Sequence, residues 1–528
     1  MEEERTIGIS GPARHRSPAV AARWPGRGFV AAAVAVLTAL VAVPAPQARA
    51  LPAHRHGAAS TYYVDCADGA DTARGTSPTT AWRTLKKAST AAYRPGDRIL
   101  FKRGTTCTGT FAPTGSGTAG APLAAGAYGS GAAPRIAGAG ARAAILLDNV
   151  QYWELRDLDV TNTGPVTATE RRAGVLVRLR DFGTGRHYVV DGVTVHDVNG
   201  ADVKDPDPSG GILFAVQGAS KPTRFDGVTV RHSRVEHTDR TGIGTSSTWG
   251  RRPEHPGGPG TTFAPVTGLF VHHNTVRDVG GDGIVVQNAV GARVEHNLVD
   301  GFNARSGGYN AGIWAWNSDR VRYQFNEVTG GHGTRDSMAY DIDGGNNGNV
   351  YQYNYSHDNE GGFLLICNGA GMVSDRNTVR YNVSVNDRNT SAPYGVISVV
   401  CGPATHTLVH NNTVTTDVPG TAMVSSNGPG GVTFRNNIFA GAAALSPIAD
   451  PHNTYDHNLY ARISGIPGGD TGAVRGDPRF AAPGDVRLRT GSRALGAGVA
   501  VPGGGDRDFY GHPVPDPPNV GAYQGHGA

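Results

Sequence analysis

Lysine is scarce in this sequence of 528 residues: five occur, and none follows Lys221. Positive charge therefore comes mainly from arginines spread along the chain, and the formal net charge at pH 7 is +4. So small a charge, with no basic patch, argues against a nucleic-acid partner. Aromatic residues make up 7% of the chain, and 76 residues are glycine. This composition is typical of a turn-rich β protein and excludes a mainly helical one.

Long apolar runs are also scarce, and the one candidate is "FVAAAVAVLTALVAV" at 29–43. A basic segment with Arg23 and Arg27 precedes the run, and "PQARA" ending at Ala50 follows it. This order is typical of a secretory signal, and the run is short for a membrane span. We predict a signal peptide over 1–50 and a linker over 51–60. The mature protein is then secreted and extracellular, with no membrane association.

Four cysteines occur, and four cysteines allow three pairings. Export favours their oxidation, and proximity in sequence favours the pairs Cys66–Cys107 and Cys367–Cys401. The second pair also falls at nearly the same level of two successive repeats, which are described next. No spacing of cysteine or histidine indicates a zinc site.

A repeat of 23 to 29 residues organises the middle of the chain. Its most regular mark is an asparagine that ends short segments such as "VHHN", "YQFN" and "VRYN". The asparagines are Asn274, Asn297, Asn326, Asn354, Asn382, Asn411 and Asn436. Strands of about five residues with this period predict a parallel β-solenoid, and asparagines recurring at one turn predict a hydrogen-bonded ladder.

The fold class we predict is therefore all-β, a single-stranded right-handed parallel β-helix over 61–528. Solenoid ends need caps. The segment "AWRTLKKASTAAY" (81–93) predicts a short amphipathic helix in an N-terminal cap region over 61–110. The irregular segment 445–528 is expected to close the other end.

Both ends of the chain resemble a known group of proteins. The opening contains "TYYVDC", "GTSPTTAWRTLKKAS" and "RPGDRILFKRGTT", and the closing part contains "GDPRF", "GDVRLRTGSRALGAG" and "NVGAYQ". These segments resemble the ends of secreted right-handed parallel β-helix proteins of the pectate-lyase-like superfold. The resemblance implies the fold and a carbohydrate-active protein. It leaves the reaction open, because the superfold includes glycoside hydrolases, polysaccharide lyases, epimerases and non-catalytic proteins.

Aligning the central strands separates inward from outward side chains. The apolar columns, expected to point inward, are Ile284, Ile313, Tyr340, Phe363 and Val286, Ala315, Ile342, Leu365. The alternate columns, expected to point outward, are Val285, Trp314, Asp341, Leu364 and Gln287, Trp316, Asp343, Ile366. Trp314 is thus expected beside Asp341, and Trp316 beside Asp343.

Two carboxylates on one strand suggest glycosidic hydrolysis, which needs one acid and one base or nucleophile. We predict Asp341 and Asp343 as catalytic residues, with Glu360 in the next turn as a further catalytic candidate. A purely structural role, or calcium binding beside the turn "GGNNGN", stays open. Apart from that calcium, we expect no cofactor and no metal.

Exposed tryptophans are the usual platforms for the apolar faces of sugars. The substrate-binding residues we predict are Trp314, Trp316, Gln287, His357, Asp358 and Asp282. The expected partner is a polysaccharide or oligosaccharide substrate, and the protein is expected to be a monomer.

Two other functions compete with hydrolysis. A lyase needs a base such as lysine near the substrate, and the strand columns beside the aspartates contain none. Arg322, Arg335 and His332 are available only from turns or other faces. A non-catalytic glycan-binding protein would also account for the tryptophans, with the aspartates as hydrogen-bonding groups.

Overall fold

Parallel pairing of short strands builds the protein. A computed structural model describes residues 59–528, except 205–206, 334, 370, 390 and 392. The predicted signal peptide and nearly all of the linker lie outside the described residues. In the described part, successive strands along the chain join three long sheets in turn, so that each coil adds one strand to each sheet. This arrangement confirms the predicted parallel β-helix.

The first sheet consists of Thr61–Val64, Arg98–Lys102, Leu123–Tyr128, Trp153–Arg156, Thr184–Asp191, Arg224–Arg231, Val266–His272, Arg293–Glu295, Arg322–Gln324, Val350–Gln352, Thr378–Arg380, Thr407–His410, Val432–Arg435 and Thr454–Asp456, with Ala289–Val290 beside Val266–His272. The second sheet consists of Thr106–Thr108, Arg135–Ala137, Asp159–Asn162, Thr194–Val198, Arg234–Thr238, Thr275–Val279, Leu298–Asp300, Glu327–Thr329, Tyr355–His357, Val383–Val385, Thr413–Thr415, Ile438–Ala440, Leu459–Ala461 and Val474–Arg475.

The third sheet consists of Ala143–Asp148, Ala173–Arg180, Gly210–Gln217, Thr241–Ser247, Ile284–Gln287, Ile313–Trp316, Tyr340–Asp343, Leu364–Cys367, Ile397–Val400, Val424–Ser426, Ser446–Ala449 and Ile463–Ser464. The smaller elements are the strand pairs Ser374–Asp375 with Ala404–Thr405 and Phe480–Ala482 with Asp485–Leu488, the 3-10 helix Pro78–Thr80 and the α-helix Leu85–Thr90. The last strands of all three sheets lie beyond residue 445, within the region expected to form the C-terminal cap.

The helix in the N-terminal region is shorter than the segment 81–93 that suggested it. Trp82 pairs in a bridge with Val64, so the chain is still extended there. Thr84 caps the helix by accepting a hydrogen bond from the backbone N–H of Lys87 at 3.1 Å. Leu85 and Ala88 are buried and cover the end of the apolar core. No helix among the described residues is long and apolar enough to cross a membrane.

The predicted alternation of inward and outward side chains holds through three central coils of the third sheet. Ile284 pairs with Ile313, which pairs with Tyr340, and all three are buried in the core. Trp314 pairs with Asp341 as predicted.

The predicted register fails at the next coil. Tyr340 pairs with Leu364, and the expected pairing with Phe363 is wrong by one residue. The N–H groups of Phe363 and Leu364 both donate to the carbonyl of Val396, at 2.7 and 3.1 Å. This bulge places one extra residue in the coil, so Leu364 and Ile366 point inward and Leu365 points outward.

The predicted asparagine ladder is present, with two of its members one residue further along the chain than expected. Its side chains are joined at 2.9–3.0 Å in the order Asn274, Asn297, Asn326, Asn354, Asn382, Asn412, Asn437 and Asn458. The assignments of Asn411 and Asn436 are wrong, because these residues have positive φ and occupy the preceding turn position. The ladder ends on the carboxylate of Asp470 at 3.0 Å.

Two disulfides connect the pairs that the sequence favours. Cys66–Cys107 has a Cα separation of 5.3 Å, and Cys367–Cys401 one of 5.1 Å. The second bridge joins consecutive coils beside the bulged strand, because Cys367 pairs with Val400, the neighbour of Cys401.

Candidate active site

A groove runs along the outer surface of the third sheet, across several coils. Its floor contains outward-facing residues that lie outside the main core, such as Leu213 and Val285, and it ends against Trp314. The space between these walls is about 370 Å³. A second hollow of about 560 Å³ adjoins it through the shared residues Ser246 and Gln287. The predicted binding residue Gln287 therefore lies between the two hollows.

A loop after the second sheet carries Lys204 over this groove. The Lys204 ammonium donates a hydrogen bond to the carbonyl of Tyr309 at 2.8 Å and lies 4.4 Å from the ring centre of Trp314. Its Nζ also lies 3.6 Å from a carboxylate oxygen of Asp282. The sequence placed no lysine beside the aspartates, and the structure brings one there from a distant coil.

Asp282 is fixed at the floor of the groove. It is 1% exposed, and one of its oxygens accepts hydrogen bonds from the indole N–H of Trp314 at 3.0 Å and the backbone of Ala311 at 3.1 Å. Its other oxygen lies 3.0 Å from the guanidinium of buried Arg240. These partners make Asp282 a support for Trp314. A direct role in substrate binding stays a prediction.

The two tryptophans differ in exposure. Trp314 is 3% exposed, so the expectation that it offers an open platform is wrong. It points away from the core as predicted, but it packs against Val285 and lies beneath Lys204. Trp316 remains partly exposed in the second hollow, where His255 contacts its ring edge-on with the centroids 5.4 Å apart. Trp316 is therefore the indole that a sugar can reach.

Three aspartates, Asp336, Asp341 and Asp343, form an electrostatically coupled group, here called the acidic cluster. Asp341 is 4% exposed, and burial together with the charges of Asp343 and Asp336 raises its pKa well above the ordinary value. Burial also raises the pKa of Asp343 to about 7, against the opposing effect of Lys204. Burial raises the pKa of Asp336 to about 6. All three carboxyl groups are thus shifted towards the protonated form.

Hydrogen bonding distinguishes the members of the acidic cluster. One oxygen of Asp336 accepts from the backbone N–H groups of Asn310 at 3.0 Å and Ser337 at 2.5 Å, which stabilise its anion. One oxygen of Asp341 is buried with no hydrogen-bond partner. Asp343 ends its strand and is partly exposed. An orphaned carboxyl oxygen in a native fold calls for a functional explanation.

Burial and the neighbouring carboxylates have opposite effects on the pKa of Lys204. Burial lowers its pKa, but the charges of Asp282, Asp343 and Asp336 outweigh that effect, so the pKa is raised overall. Lys204 therefore stays a cation at neutral pH, and it balances part of the charge of the acidic cluster.

Sequence reasoning missed Asp336 and Lys204. Asp336 precedes the strand by four residues and has no place in the alternation that singled out Asp341 and Asp343. Lys204 lies in a loop that pattern alone cannot place. The one available signal was the rarity of lysine, since a lone lysine among aspartates at 202–207 is unusual in this chain.

Two of the predicted binding residues lie on a different sheet from Asp341 and Asp343. His357 and Asp358 belong to the second sheet and its following turn, where their side chains bond to each other at 2.8 Å and His357 also reaches Glu327. Glu360 accepts a hydrogen bond from the backbone of Gly333 at 2.8 Å and lies 3.7 Å from Arg388. Because they lie apart from the third sheet, His357 and Asp358 are not brought together with Asp341 by the fold. Their roles, and that of Glu360, stay predictions.

The geometry can support acid–base chemistry beside the groove of the third sheet. It provides carboxyl groups shifted towards neutral pH, a fixed cation and an accessible indole. Among the described residues, three side-chain metal ligands converge closely only at a trio of histidines elsewhere. A calcium ion at the acidic cluster would therefore depend on main-chain carbonyls.

Comparison with known proteins gives one curated relative and several structural neighbours. No protein-family profile matches the chain. A lacto-N-biosidase of Bifidobacterium longum subsp. longum is 28% identical over an alignment 621 positions long, gaps included, which covers 94% of this chain and 38% of that protein. The chain thus spans well under half the length of this curated relative.

Two solved structures share the fold. The crystal structure of a GH136 lacto-N-biosidase from Eubacterium ramulus matches with a TM-score of 0.60 and 25% identity, covering 75% of this chain and 67% of that one. The structure of XylC in complex with xylose matches with a TM-score of 0.53 and 12% identity, covering 88% and 98%. Both neighbours support the parallel β-helix, and the second supports the fold alone.

Proposed function

We propose that this protein is a glycoside hydrolase that acts on an oligosaccharide or polysaccharide bound in the groove of the third sheet. The observation that carries the proposal is the acidic cluster beside the groove lined by Lys204 and Trp314, with the pKa of Asp343 raised to about 7. An acid that is half protonated near neutral pH is suited to donating a proton to a departing glycosidic oxygen. The similarity to two lacto-N-biosidases supports the same reaction class.

Asp343 is the proposed general acid, because it combines a raised pKa with partial exposure at the end of its strand. The second carboxylate has to be ionised to activate water or attack the sugar. Asp336 meets this requirement better than Asp341, since two backbone N–H groups stabilise its anion while one oxygen of Asp341 has no partner. Asp341 is then the member kept protonated, because burial and the charges of Asp343 and Asp336 raise its pKa well above the ordinary value.

Elimination remains the competing reaction, and Lys204 is the residue that could serve it. A lysine base has to lose its proton near neutral pH, whereas the surrounding carboxylates raise the pKa of Lys204. Hydrolysis therefore fits the electrostatics of the site better.

The names of the relatives suggest where a substrate search should begin. Oligosaccharides that carry a terminal lacto-N-biose unit are the first candidates, and xylo-oligosaccharides and uronic-acid polymers complete the panel. The mass of each product distinguishes the reactions, because hydrolysis adds one water to the substrate and elimination leaves an unsaturated sugar.

The test compares the wild-type chain with Asp343→Asn and with Asp417→Asn, an exposed aspartate that serves as the control. Hydrolytic products are expected from the wild type and the control, and nearly none from Asp343→Asn. Unsaturated products would overturn hydrolysis. Equal activity of Asp343→Asn and wild type would overturn the proposed site.

A further inference from the structure

Three histidines from two adjacent coils converge at the turn after the first sheet. The strands that precede them are paired, with Arg231 opposite His272. One ring nitrogen from each of His232, His272 and His273 lies within 4.8 Å of the corresponding nitrogens of the other two. The segment "VHHN" that marks the repeat thus carries an extra histidine, which ladder formation by Asn274 does not require.

The spacing of the rings suits a metal ion. The Nδ1 atoms of His272 and His273 are 2.9 Å apart. Two nitrogens bound to one tetrahedral zinc ion lie about 3.4 Å apart, as follows from bonds of about 2.0–2.1 Å. Small rotations of the rings would therefore bring both nitrogens to bonding distance of one ion.

Neighbouring groups prepare the imidazoles for this role. Asp191 contacts Nδ1 of His232 at 2.9 Å, which orients the ring and leaves Nε2 for a ligand. Carboxylates commonly support metal-binding histidines in this way.

Stacking alone explains only part of this arrangement. The turn position with positive φ carries aromatic rings in successive coils, and His273 stacks on His296 at 4.8 Å, which in turn stacks on Phe325. This column accounts for His273. The same column also places His232 next to His273, since His232 has the same positive φ one coil earlier. It does not account for the edge-on contact of His272 with His273.

We propose that His232, His272 and His273 form a three-imidazole site for a divalent transition-metal ion such as Zn²⁺, Ni²⁺ or Cu²⁺. Imidazole nitrogens are the preferred ligands of this class of metal. The ion takes the place of the proton that His272 and His273 share between their Nδ1 atoms. That proton moves to Nε2 of the ring that carried it. Solvent water completes the coordination, because His232 and His273 are exposed.

A bound ion would cross-link two consecutive coils. His232 follows one strand of the first sheet, and His272 and His273 end the next. An ion that binds the folded chain and not the unfolded one raises the free energy of unfolding. The role is separate from the groove, which lies on the third sheet.

The test is calorimetric titration of the tag-free, chelator-treated chain with Zn²⁺, Ni²⁺ and Cu²⁺, together with Tm measured with and without metal. Exposed His232 and His273 are replaced in His232→Gln and His273→Gln. The control is His406→Gln, since His406 is exposed and also contacts an aspartate, Asp375, but has no histidine partners.

One ion per chain and a higher Tm are expected for the wild type and the control. Each of the two site variants should weaken binding by at least about tenfold and remove the gain in Tm. No saturable binding of any of the three metals would overturn the proposal. Equal weakening in the control, or unchanged binding in both site variants, would overturn it as well.

Discussion

The asparagine ladder and the acidic cluster both bury polar side chains, but only the ladder satisfies them. Within the ladder, Asn326 donates to Asn354 and to the carbonyl of Val294, and it accepts from Asn297. In the acidic cluster, one oxygen of Asp341 has no partner, and the pKa values of all three aspartates are raised. The comparison indicates that the ladder serves stability, whereas burial of the carboxyl groups of the acidic cluster costs stability.

The acidic cluster and the ladder also differ in how their contributions to stability change with pH. A carboxyl group whose pKa is raised on folding stabilises the fold below its unfolded value of about 4, and this contribution is lost as the pH rises through the folded pKa. For Asp336 and Asp343 that loss falls near pH 6 and 7. The amides of the ladder do not titrate, so their contribution is constant over this range.

The largest expected effect comes from removing the proposed acid. Asp343→Asn should lower turnover by about 10²–10⁴-fold, because the amide cannot donate a proton at neutral pH. Tm should not fall, since no charge has to be buried in the variant. Steady-state kinetics and calorimetry on the same preparation check both. A comparable loss of Tm and activity would make Asp343 a structural residue.

A substitution in the ladder should instead reduce stability and leave turnover unchanged. Asn326→Ala leaves the backbone N–H of Asn297 unpaired in the interior and removes the side-chain donor to the carbonyl of Val294, so unfolding should become easier by roughly 3 kcal/mol. Turnover per folded molecule should stay near the wild-type value. Denaturant unfolding measures the loss, and Asn427→Ala on the surface is the control. Stability equal to that of the control would show that the ladder contributes little.

Asp341→Asn is expected to increase stability, by less than Asn326→Ala decreases it. The variant removes a buried carboxyl group whose ionisation opposes folding, so it should be more stable than the wild type at about pH 8. Near pH 5 the gain should be smaller, because the free-energy cost of a carboxyl group with a raised pKa decreases as the pH falls. Each unit of pKa shift corresponds to about 1.4 kcal/mol. A variant less stable than the wild type at both pH values would contradict the conclusion that the buried carboxyl group of Asp341 costs stability.

The smallest effect is expected from Trp316→Ala. The partly exposed indole should contribute about 1 kcal/mol of stacking to substrate binding, so KM rises several-fold while kcat changes little. Trp314→Ala should instead lower Tm, because that indole is buried and bonded to Asp282. If the two variants behave alike, their difference in exposure has no functional meaning.

The periodic parts of the molecule were predictable from the sequence. Coil length, the inward-facing columns and most of the ladder follow from local patterns that repeat. A residue misassigned in one coil therefore leaves the predictions for the other coils unchanged. The failures have local causes. In "HNN" and "RNN" the first asparagine takes the turn position with positive φ, so Asn412 and Asn437 join the ladder, and a bulge shifts Leu364 into the register expected for Phe363.

The candidate site was only half predictable. Asp341 and Asp343 lie in a strand, where alternation gives their direction. Lys204 and Asp336 lie in irregular segments whose paths depend on packing against other coils. The burial of Trp314 depends on Lys204 above it, so it could not be read from the strand alone.

The pH dependence of kcat/KM for the wild-type chain tests the central claim most directly. If Asp336 acts ionised and Asp343 acts protonated, the profile should be bell-shaped, with a rising limb near pH 6 and a falling limb near pH 7. The falling limb should disappear in the residual activity of Asp343→Asn. A profile that is flat from about pH 5 to 8, or a falling limb that persists in Asp343→Asn, would show that the reactive groups lie outside the acidic cluster.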